Sequence, residues 1–112
     1  MSYVRVIRYR WLPGAAAESP RLAQALAASV AGQPGSRGVR VLAALDGTGE
    51  GLVVFEWETR EALNRHLAAA SIEGLAPWAV PLLHWRTDQA YKVLPAVGAP
   101  GAAAVSTASG ED

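Results

Sequence analysis

The spacing of apolar residues changes along the chain, and these changes divide residues 3–94 into predicted secondary-structure elements. Alternating apolar positions, or runs of β-branched and aromatic residues, predict four strands, at residues 3–11, 38–46, 52–57 and 86–94. A spacing typical of amphipathic helices predicts two helices, at residues 19–32 and 59–70. Residues 71–83 contain a glycine and two prolines, and predict a loop with a short helix.

Residues at the predicted boundaries support these helices and the pairing of two strands. Ser19 followed by Pro20 is typical of a helix start, and Gly32 is typical of the position that ends a helix. Thr59 is predicted to cap the second helix. Residues 47–49, Gly-Thr-Gly, predict a tight turn, so the second and third strands are expected to form a hairpin.

The resulting order, β-α-β-β-α-β, is that of a ferredoxin-like α+β domain with a four-stranded antiparallel sheet. We expect one such domain over residues 1–94, followed by a disordered tail rich in Ala, Gly, Ser and Pro at residues 95–112. Both helices cover one face of the sheet in this fold, which leaves the other face bare. A homodimer is predicted because apolar residues lie on that bare face, namely Val4, Val6, Leu52 and Val54.

Candidate chemistry is concentrated in residues 52–67, where the third strand passes into the second helix. Trp57 ends the strand, and His66 follows on the helix. The helical spacing predicts a buried stripe formed by Leu63, His66, Leu67 and Ala70. Trp57 is either a pocket wall or a packed core residue. His66 is either a general base near neutral pH or a histidine that is hydrogen-bonded to a backbone carbonyl.

The first strand carries the other polar candidates, and its orientation decides which of them face the helices. Arg5 and Tyr9 share one face of the strand with Ile7, whereas Arg8 and Arg10 lie on the other face. If the first face meets the helices, Arg5 and Tyr9 line a pocket, and Arg5 would stabilise an oxyanion. With the opposite orientation, Arg8 and Arg10 take their place. We expect the first arrangement.

Composition and charge narrow the class of protein. Ten basic residues balance ten acidic ones, which argues against recruitment to nucleic acid or to an anionic membrane. The chain has no cysteine, which excludes disulfides, thiolate catalysis and cysteine-ligated metals. His66 and His84 have no acidic residue at ligand spacing, so no metal site is predicted. No apolar segment is long enough for a membrane span and no signal-peptide pattern precedes the first strand, so we expect a cytoplasmic protein.

Three segments carry a resemblance to a known family. They are Pro-Gly at residues 13–14, Gln-Pro-Gly at residues 33–35, and Trp-Glu-Thr-Arg-Glu-Ala-Leu-Asn-Arg-His-Leu at residues 57–67. With these segments in this order of elements, the sequence resembles the antibiotic biosynthesis monooxygenase family, within the dimeric α+β barrel superfamily. The resemblance covers about residues 3–94.

The resemblance implies a dimer with a pocket between sheet and helices in each subunit. Family members that act on aromatic polyketides oxidise anthrone-type rings to quinones with O₂, without a metal or flavin. The resemblance therefore implies a cofactor-free monooxygenase of a phenolic or polyketide-like aromatic substrate. Trp57 corresponds to the family's pocket tryptophan and His66 to its helix histidine, and these are the two candidate catalytic residues. The candidate substrate-binding residues are Arg5, Tyr9, Phe55, Trp78 and Trp85.

The sequence also departs from the family pattern. The anthrone-oxidising members carry an asparagine four residues before the tryptophan, where this sequence has Val53. The haem-degrading relatives need an asparagine on the first strand and a tryptophan on the second helix, where this sequence has Ile7 and His66, so haem degradation is not expected. Three functions are left open: a cofactor-free monooxygenase, a non-redox cyclase, isomerase or dehydratase that uses His66 for proton transfer, and a dimeric ligand-binding accessory protein.

Overall fold

Four strands and three α-helices form the part of the chain that the computed structural model describes, residues 1–98. The strands are β1 (Ser2–Trp11), β2 (Ser36–Ala43), β3 (Glu50–Trp57) and β4 (Leu83–Val93). The helices are α1 (Ser19–Val30), α2 (Arg60–Ala69) and the single-turn α3 (Ile72–Leu75). Short 3₁₀ segments precede α1 and β4, at Ala16–Glu18 and Pro77–Leu82.

The strands form one antiparallel sheet in the order β2-β3-β1-β4, so β1 and β3 are the central pair. In this pair Tyr3 lies opposite Trp57, and Tyr9 lies opposite Gly51. The pairing of β1 with β4 is interrupted by a bulge between Arg8 and Tyr9. The predicted ferredoxin-like α+β fold is therefore confirmed.

The core lies between the sheet and the helices, and alternate residues of β1 and β3 point into it. Arg5 and Tyr9 are 3% and 1% exposed, whereas Arg8 and Arg10 are exposed on the other face, so the expected orientation of β1 is confirmed. The largest fully buried side chains are Trp57, Tyr9, Phe55, Ile7, Leu22, Leu26 and Val53. Burial of each apolar side chain of this kind stabilises the fold by roughly 1.5–3 kcal/mol.

Helix α1 begins near the predicted residue, but Ser19 does not cap it. The N-cap position is Glu18, whose side chain makes no capping hydrogen bond. Ser19 itself is helical, with φ −54° and ψ −44°, because the preceding 3₁₀ turn runs directly into the helix. Its hydroxyl accepts a hydrogen bond from Trp11 Nε1 at 3.0 Å and donates one to the Ala16 carbonyl at 2.8 Å. After the helix, Gly32 has φ +77°, as expected beyond a helix C-terminus.

Helix α2 is capped as predicted, because Thr59 Oγ1 accepts a hydrogen bond from the Ala62 N–H at 3.1 Å. Its buried residues are Ala62, Leu63 and His66. The prediction that Leu67 is buried was wrong, since Leu67 is 38% exposed. The helix is rotated so that Ala62, one turn before His66, faces the sheet instead.

Strand β4 begins three residues earlier than predicted, at Leu83. Residues 83–85 pair with the last three residues of β1, which would otherwise leave their hydrogen-bonding groups unpaired on that side. Trp85, predicted at an uncertain boundary, therefore lies on a strand and opposite Tyr9. Strands β2 and β3 each begin two residues before the predicted start, at Ser36 and Glu50.

The sheet face that points away from the helices is open among residues 1–98. Its predicted apolar residues, which are half-buried by their neighbours, are Val4, Val6, Leu52 and Val54. Leu42 and Tyr91 lie on the same face and are each 48% exposed. The open sheet face is thus more apolar than is usual for a surface in contact with water.

The last predicted segment lies mostly beyond the described part of the chain. Residues 95–98 form neither helix nor strand, and the rest of the predicted disordered tail, residues 99–112, falls outside the described residues. Within residues 1–98, no helix is both long enough and apolar enough to span a membrane.

Candidate functional site

A buried guanidinium lies at the centre of the candidate site. Arg5 points from β1 toward the helices and is 3% exposed. Its Nε and Nη2 donate to the two carboxylate oxygens of Asp88 on β4, at 2.9 and 2.7 Å. Its Nη1 donates to the Ala70 carbonyl at the end of α2, at 2.8 Å, and lies 3.1 Å from His66 Nε2. Arg5 therefore connects three elements, and a bidentate carboxylate neutralises its charge.

The contact with Arg5 determines which nitrogen of His66 carries the proton. A guanidinium only donates hydrogen bonds, so Nε2 of His66 is the acceptor and Nδ1 carries the ring proton. Burial, and after it the charge of Arg5, lowers the pKa of His66 to about 4, against a smaller opposing effect of Asp88. The imidazole is therefore neutral at neutral pH.

This arrangement bears on the predicted role of His66 as a general base. A general base is most effective when its pKa lies near the working pH. With a pKa of about 4, and with its Nε2 lone pair directed at Arg5, His66 is a weak proton acceptor. Its Nδ1–H is a donor suited to an oxygen that carries negative charge. The geometry favours hydrogen-bond donation over proton abstraction.

Trp57 and His66 are brought together as their positions predicted, and they are in direct contact. Their ring centroids are 5.0 Å apart, and those of Phe55 and His66 are 4.7 Å apart. Trp57 is 1% exposed, and its buried Nε1 has no hydrogen-bond partner within residues 1–98. Since the rings touch, no cavity separates Trp57 from His66, and Trp57 serves here as a buried packing partner of the imidazole.

A cavity of about 240 Å³ opens beside His66, where the ends of α1 and α2 meet α3. Its polar lining comes from His66, Ser29, Gln33 and Ser71. Pockets for drug-sized ligands commonly have about 300–1,000 Å³. The cavity would therefore admit a small molecule, or one edge of a larger one.

The remaining interior near this cluster is apolar. Val53 is fully buried on the helix-facing side of β3, so the side chain at this position is directed into the core. Among residues 1–98, no three acidic or histidine side chains converge as metal ligands.

Tyr9 and Trp85 lie farther along the sheet, apart from the cluster around Arg5. Their rings are in edge contact, with centroids 6.2 Å apart. The Tyr9 hydroxyl and the Trp85 Nε1 are buried, and neither has a hydrogen-bond partner in the described part of the chain. Burial raises the pKa of Tyr9, opposed in part by the side chain of Trp11, so the phenol is protonated at neutral pH. Tyr9 lines a second cavity, of about 720 Å³.

Trp78 is not brought to either cavity. It is half-buried in the 3₁₀ segment before β4, and the guanidinium of Arg21 lies 3.9 Å from its ring centroid. A cation–π contact of this kind explains the position of Trp78 without a ligand.

Asp88 and Gly51 are the important residues that the sequence analysis missed. The register of β1 and β4 places Asp88 on the same side as Arg5. The sequence signal was limited to the need of a buried arginine for a counter-charge. A Cβ atom at Gly51 would collide with the ring and hydroxyl of Tyr9 and with the Leu42 carbonyl. Gly51 is therefore the position that admits the Tyr9 side chain.

Together, the sheet, the helices and the cluster of Arg5, His66 and Asp88 define a ferredoxin-like α+β protein with a polar site buried against aromatic residues. The model of the antibiotic biosynthesis monooxygenase family matches residues 2–75, more than half of the chain. The chain belongs to the antibiotic biosynthesis monooxygenase family.

Several solved structures share this fold at low sequence identity. SnoaB, a cofactor-independent oxygenase from Streptomyces nogalater, is 21% identical with a TM-score of 0.68, over 88% of this chain and 98% of its own. A Deinococcus radiodurans protein assigned to the antibiotic biosynthesis monooxygenases is 20% identical with a TM-score of 0.68, over 90% and 100% of the two chains. At these identities the likeness establishes the fold alone. None of the curated proteins matches the chain in sequence.

Proposed function

We propose that this protein is a cofactor-independent monooxygenase that oxidises a phenolic, polyketide-like aromatic substrate with O₂. Membership of the family supports a monooxygenase-like role, and SnoaB is itself described as a cofactor-independent oxygenase. The observation that carries the proposal is the buried contact of Arg5 with His66, beside the rings of Phe55 and Trp57. In this cluster a neutral imidazole lies next to a buried positive charge and keeps one N–H free to donate, and such a donor suits an anionic substrate oxygen.

In the proposed reaction, the substrate supplies the electrons. Loss of a proton gives a phenolate or enolate whose ring carbon is electron-rich enough to form a C–O bond with O₂. The resulting peroxide loses water, so a ring CH₂ becomes C=O. One oxygen atom enters the product and the other leaves as water, and no external reductant is required.

The described residues suggest a role for each part of the cluster. His66 would donate its Nδ1–H to the substrate oxygen, and Arg5 would hold His66 in the tautomer that allows this. Trp57 and Phe55 pack directly against the imidazole and would hold it in the orientation that points Nδ1–H at the substrate. Because His66 is a weak base, we assign the loss of the substrate proton to bulk solvent, so that the phenolate or enolate is the form that binds.

Oxygen-electrode measurements with an anthrone or a naphthol test this proposal. We expect one mole of O₂ consumed per mole of quinone formed, without added flavin or NADH and in the presence of a chelator. His66→Ala should lower turnover by roughly 10²-fold, the usual effect of removing one oxyanion donor.

The matched control for this test is Arg65→Ala. Arg65 is exposed on the same helix, one residue from His66, so its variant should keep full activity. Turnover without O₂ uptake would rule out the oxygenase, and equal rates for the two variants would rule out the role of His66.

A second candidate function, that of a non-redox cyclase or isomerase, is favoured by the direct contact of Trp57 with His66 and by the apolar side chain of Val53. Val53 lacks the amide that the anthrone-oxidising members carry at this position, and the contact of Trp57 with His66 leaves no open space next to the tryptophan. A non-redox cyclase or isomerase would turn over its substrate without O₂. A dimeric accessory protein of biosynthesis would bind the same compound without any turnover.

We propose, in addition, that the protein is a homodimer. The open sheet face supports this, because Leu42 and Tyr91 are each 48% exposed beside four further apolar residues. A second copy related by two-fold symmetry would cover this face with the same face of its own.

A further inference from the structure

A second cavity, of about 720 Å³, lies at the end of the sheet where β1 finishes and β3 and β4 begin. Its walls come from the last residues of β1, the loop that follows, the β2–β3 hairpin and the first residues of β4. This volume lies within the range of about 300–1,000 Å³ that is common for small-molecule sites.

The cavity is separate from the cluster around Arg5. Trp57 pairs with Tyr3 near the beginning of β1, whereas Glu50, in the cavity wall, pairs with Arg10 near its end. Seven residues of an extended strand span roughly 24 Å. A small ligand in this cavity would therefore not reach Trp57.

Two buried hydrogen-bond donors next to the cavity lack partners within residues 1–98. These are the hydroxyl of Tyr9, which lines the cavity, and the Nε1 of Trp85, whose ring contacts Tyr9. A buried donor without a partner is unfavourable, so each one marks a position where an acceptor atom would be stabilised. Gly51 makes room for this arrangement, because any side chain there would collide with Tyr9.

The charged residues of the wall favour a negative ligand. Arg10 and Arg86 line the cavity. The single acidic residue of the lining, Glu50, lies 3.3 Å from the guanidinium of Arg8, which offsets its charge. The lining therefore carries two arginines, of which Arg10 also donates to the Thr48 carbonyl, against one acidic residue that is already paired. Guanidinium groups bind carboxylates and phenolates well.

We propose that this cavity binds a planar aromatic anion, with the ring against Trp11 and Tyr9. The Tyr9 hydroxyl would donate a hydrogen bond to the ligand, and the positive charge of Arg86 would attract its anionic group. This site is independent of the proposed oxygenase activity, since it shares no residue with the cluster of Arg5, His66 and Asp88. The shared chemistry of the ligand is an aromatic ring with one ionised oxygen group.

Isothermal titration calorimetry on the full chain at pH 7 tests the proposal with three probes. 2-Naphthoate carries a carboxylate, 2-naphthol carries a neutral hydroxyl at this pH, and 2-naphthamide has the same ring without charge. We expect 2-naphthoate to bind at least tenfold more tightly than the other two, with an affinity that falls as salt is added. Equal binding of the three probes, or no binding of 2-naphthoate, would overturn the proposal.

Variants locate the binding. Tyr9→Phe keeps the ring and removes only the unpartnered hydroxyl, so the fold should be retained, and we expect about tenfold weaker binding of 2-naphthoate. Arg86→Gln should weaken binding by a similar factor and reduce the dependence on salt. The control Arg65→Gln makes the same change of charge on α2, away from the cavity, and should bind like the unmodified protein.

Two outcomes would contradict this assignment. Unchanged binding by both Tyr9→Phe and Arg86→Gln would show that the probe does not occupy this cavity. Loss of binding in His66→Ala, with Tyr9→Phe unaffected, would place the probe at the other site instead. In either case the oxygen-uptake test of the proposed oxygenase activity is unaffected, because that test depends on His66 and not on Tyr9.

Discussion

His66 illustrates how the neighbours of one residue decide its chemistry. Phe55 and Trp57 pack against the imidazole and bury it, and Arg5 both takes the lone pair of Nε2 and repels a second proton. The ring is therefore held in one neutral tautomer. A histidine in this state presents a fixed donor, and it changes its charge only in acid.

The free energy of unfolding should depend on pH through His66. Its folded pKa of about 4 lies below the ordinary value of 6.5, so the unfolded chain binds a proton that the folded chain does not. The stabilisation is fully present above about pH 6.5 and is lost as the pH falls through about 4. The loss amounts to about 3 kcal/mol over this window. Urea unfolding between pH 4 and 7 measures it.

The control for this prediction is His66→Gln. The amide oxygen of glutamine can still accept from Arg5, but the side chain does not titrate. We expect a flatter profile than that of the unmodified protein between pH 6.5 and 4. Parallel profiles for the two proteins would mean that His66 is not buried as a neutral group.

At this scale the sequence predicted positions better than roles. The spacing of Trp57 and His66 was enough to predict that they meet in the interior. The tautomer of His66 was not predictable, because it depends on Arg5, which is 61 residues away along the chain. The partner of Arg5 was still harder to identify, since Asp88 meets it only through the register of β1 and β4.

Among the elements, the Arg5–Asp88 pair joins strands that are far apart in sequence. The two side chains link β1 to β4, and the bond from Arg5 to the Ala70 carbonyl adds the end of α2. This carbonyl is one of the groups that a helix end leaves without an internal partner. One side chain therefore fixes the position of α2 on the sheet.

Removing one member of this pair should be costly, and removing both should cost much less. Asp88→Ala leaves a buried guanidinium without its counter-ion, and we expect a loss of about 3 kcal/mol in the free energy of unfolding. The double variant Arg5→Met with Asp88→Leu removes both charges and should recover most of that loss. Urea unfolding followed by circular dichroism measures each value. An Asp88→Ala protein as stable as the unmodified one would contradict the prediction.

Element types were predictable, whereas their ends depended on partners. Alternation predicted all four strands, but β4 starts at Leu83 because the end of β1 offers it hydrogen-bonding groups. Ser19 has the residue type of a cap, yet a 3₁₀ turn that precedes it makes Ser19 helical. Thr59, which follows an extended strand, does cap its helix. Local sequence was sufficient only where no neighbouring element competed.

For the whole molecule, the main consequence is the open sheet face. Leu42 and Tyr91 are exposed on this face beside half-buried valines, and such an apolar patch is typical of a protein interface. The net charge of the chain does not oppose association of two copies, because ten basic residues balance ten acidic ones.

We expect sedimentation equilibrium at micromolar concentration to give a dimer, and Val54→Lys to give a monomer. Val54 lies on β3 in the middle of the open face, where a lysine charge would be buried in the interface. Val80→Lys is the matched control, since Val80 is 37% exposed in the 3₁₀ segment and should leave the dimer intact. A monomeric unmodified protein would contradict the prediction.

The pairing of Tyr9 with Gly51 has a consequence for how the central strands find each other. The phenol of Tyr9 needs a partner without a side chain, and Gly51 is the only glycine within β3. If β1 slipped by one residue along β3, Glu50 or Leu52 would lie beneath the ring and collide with it. The steric fit of Tyr9 over Gly51 thus favours one register of β1 and β3 during folding.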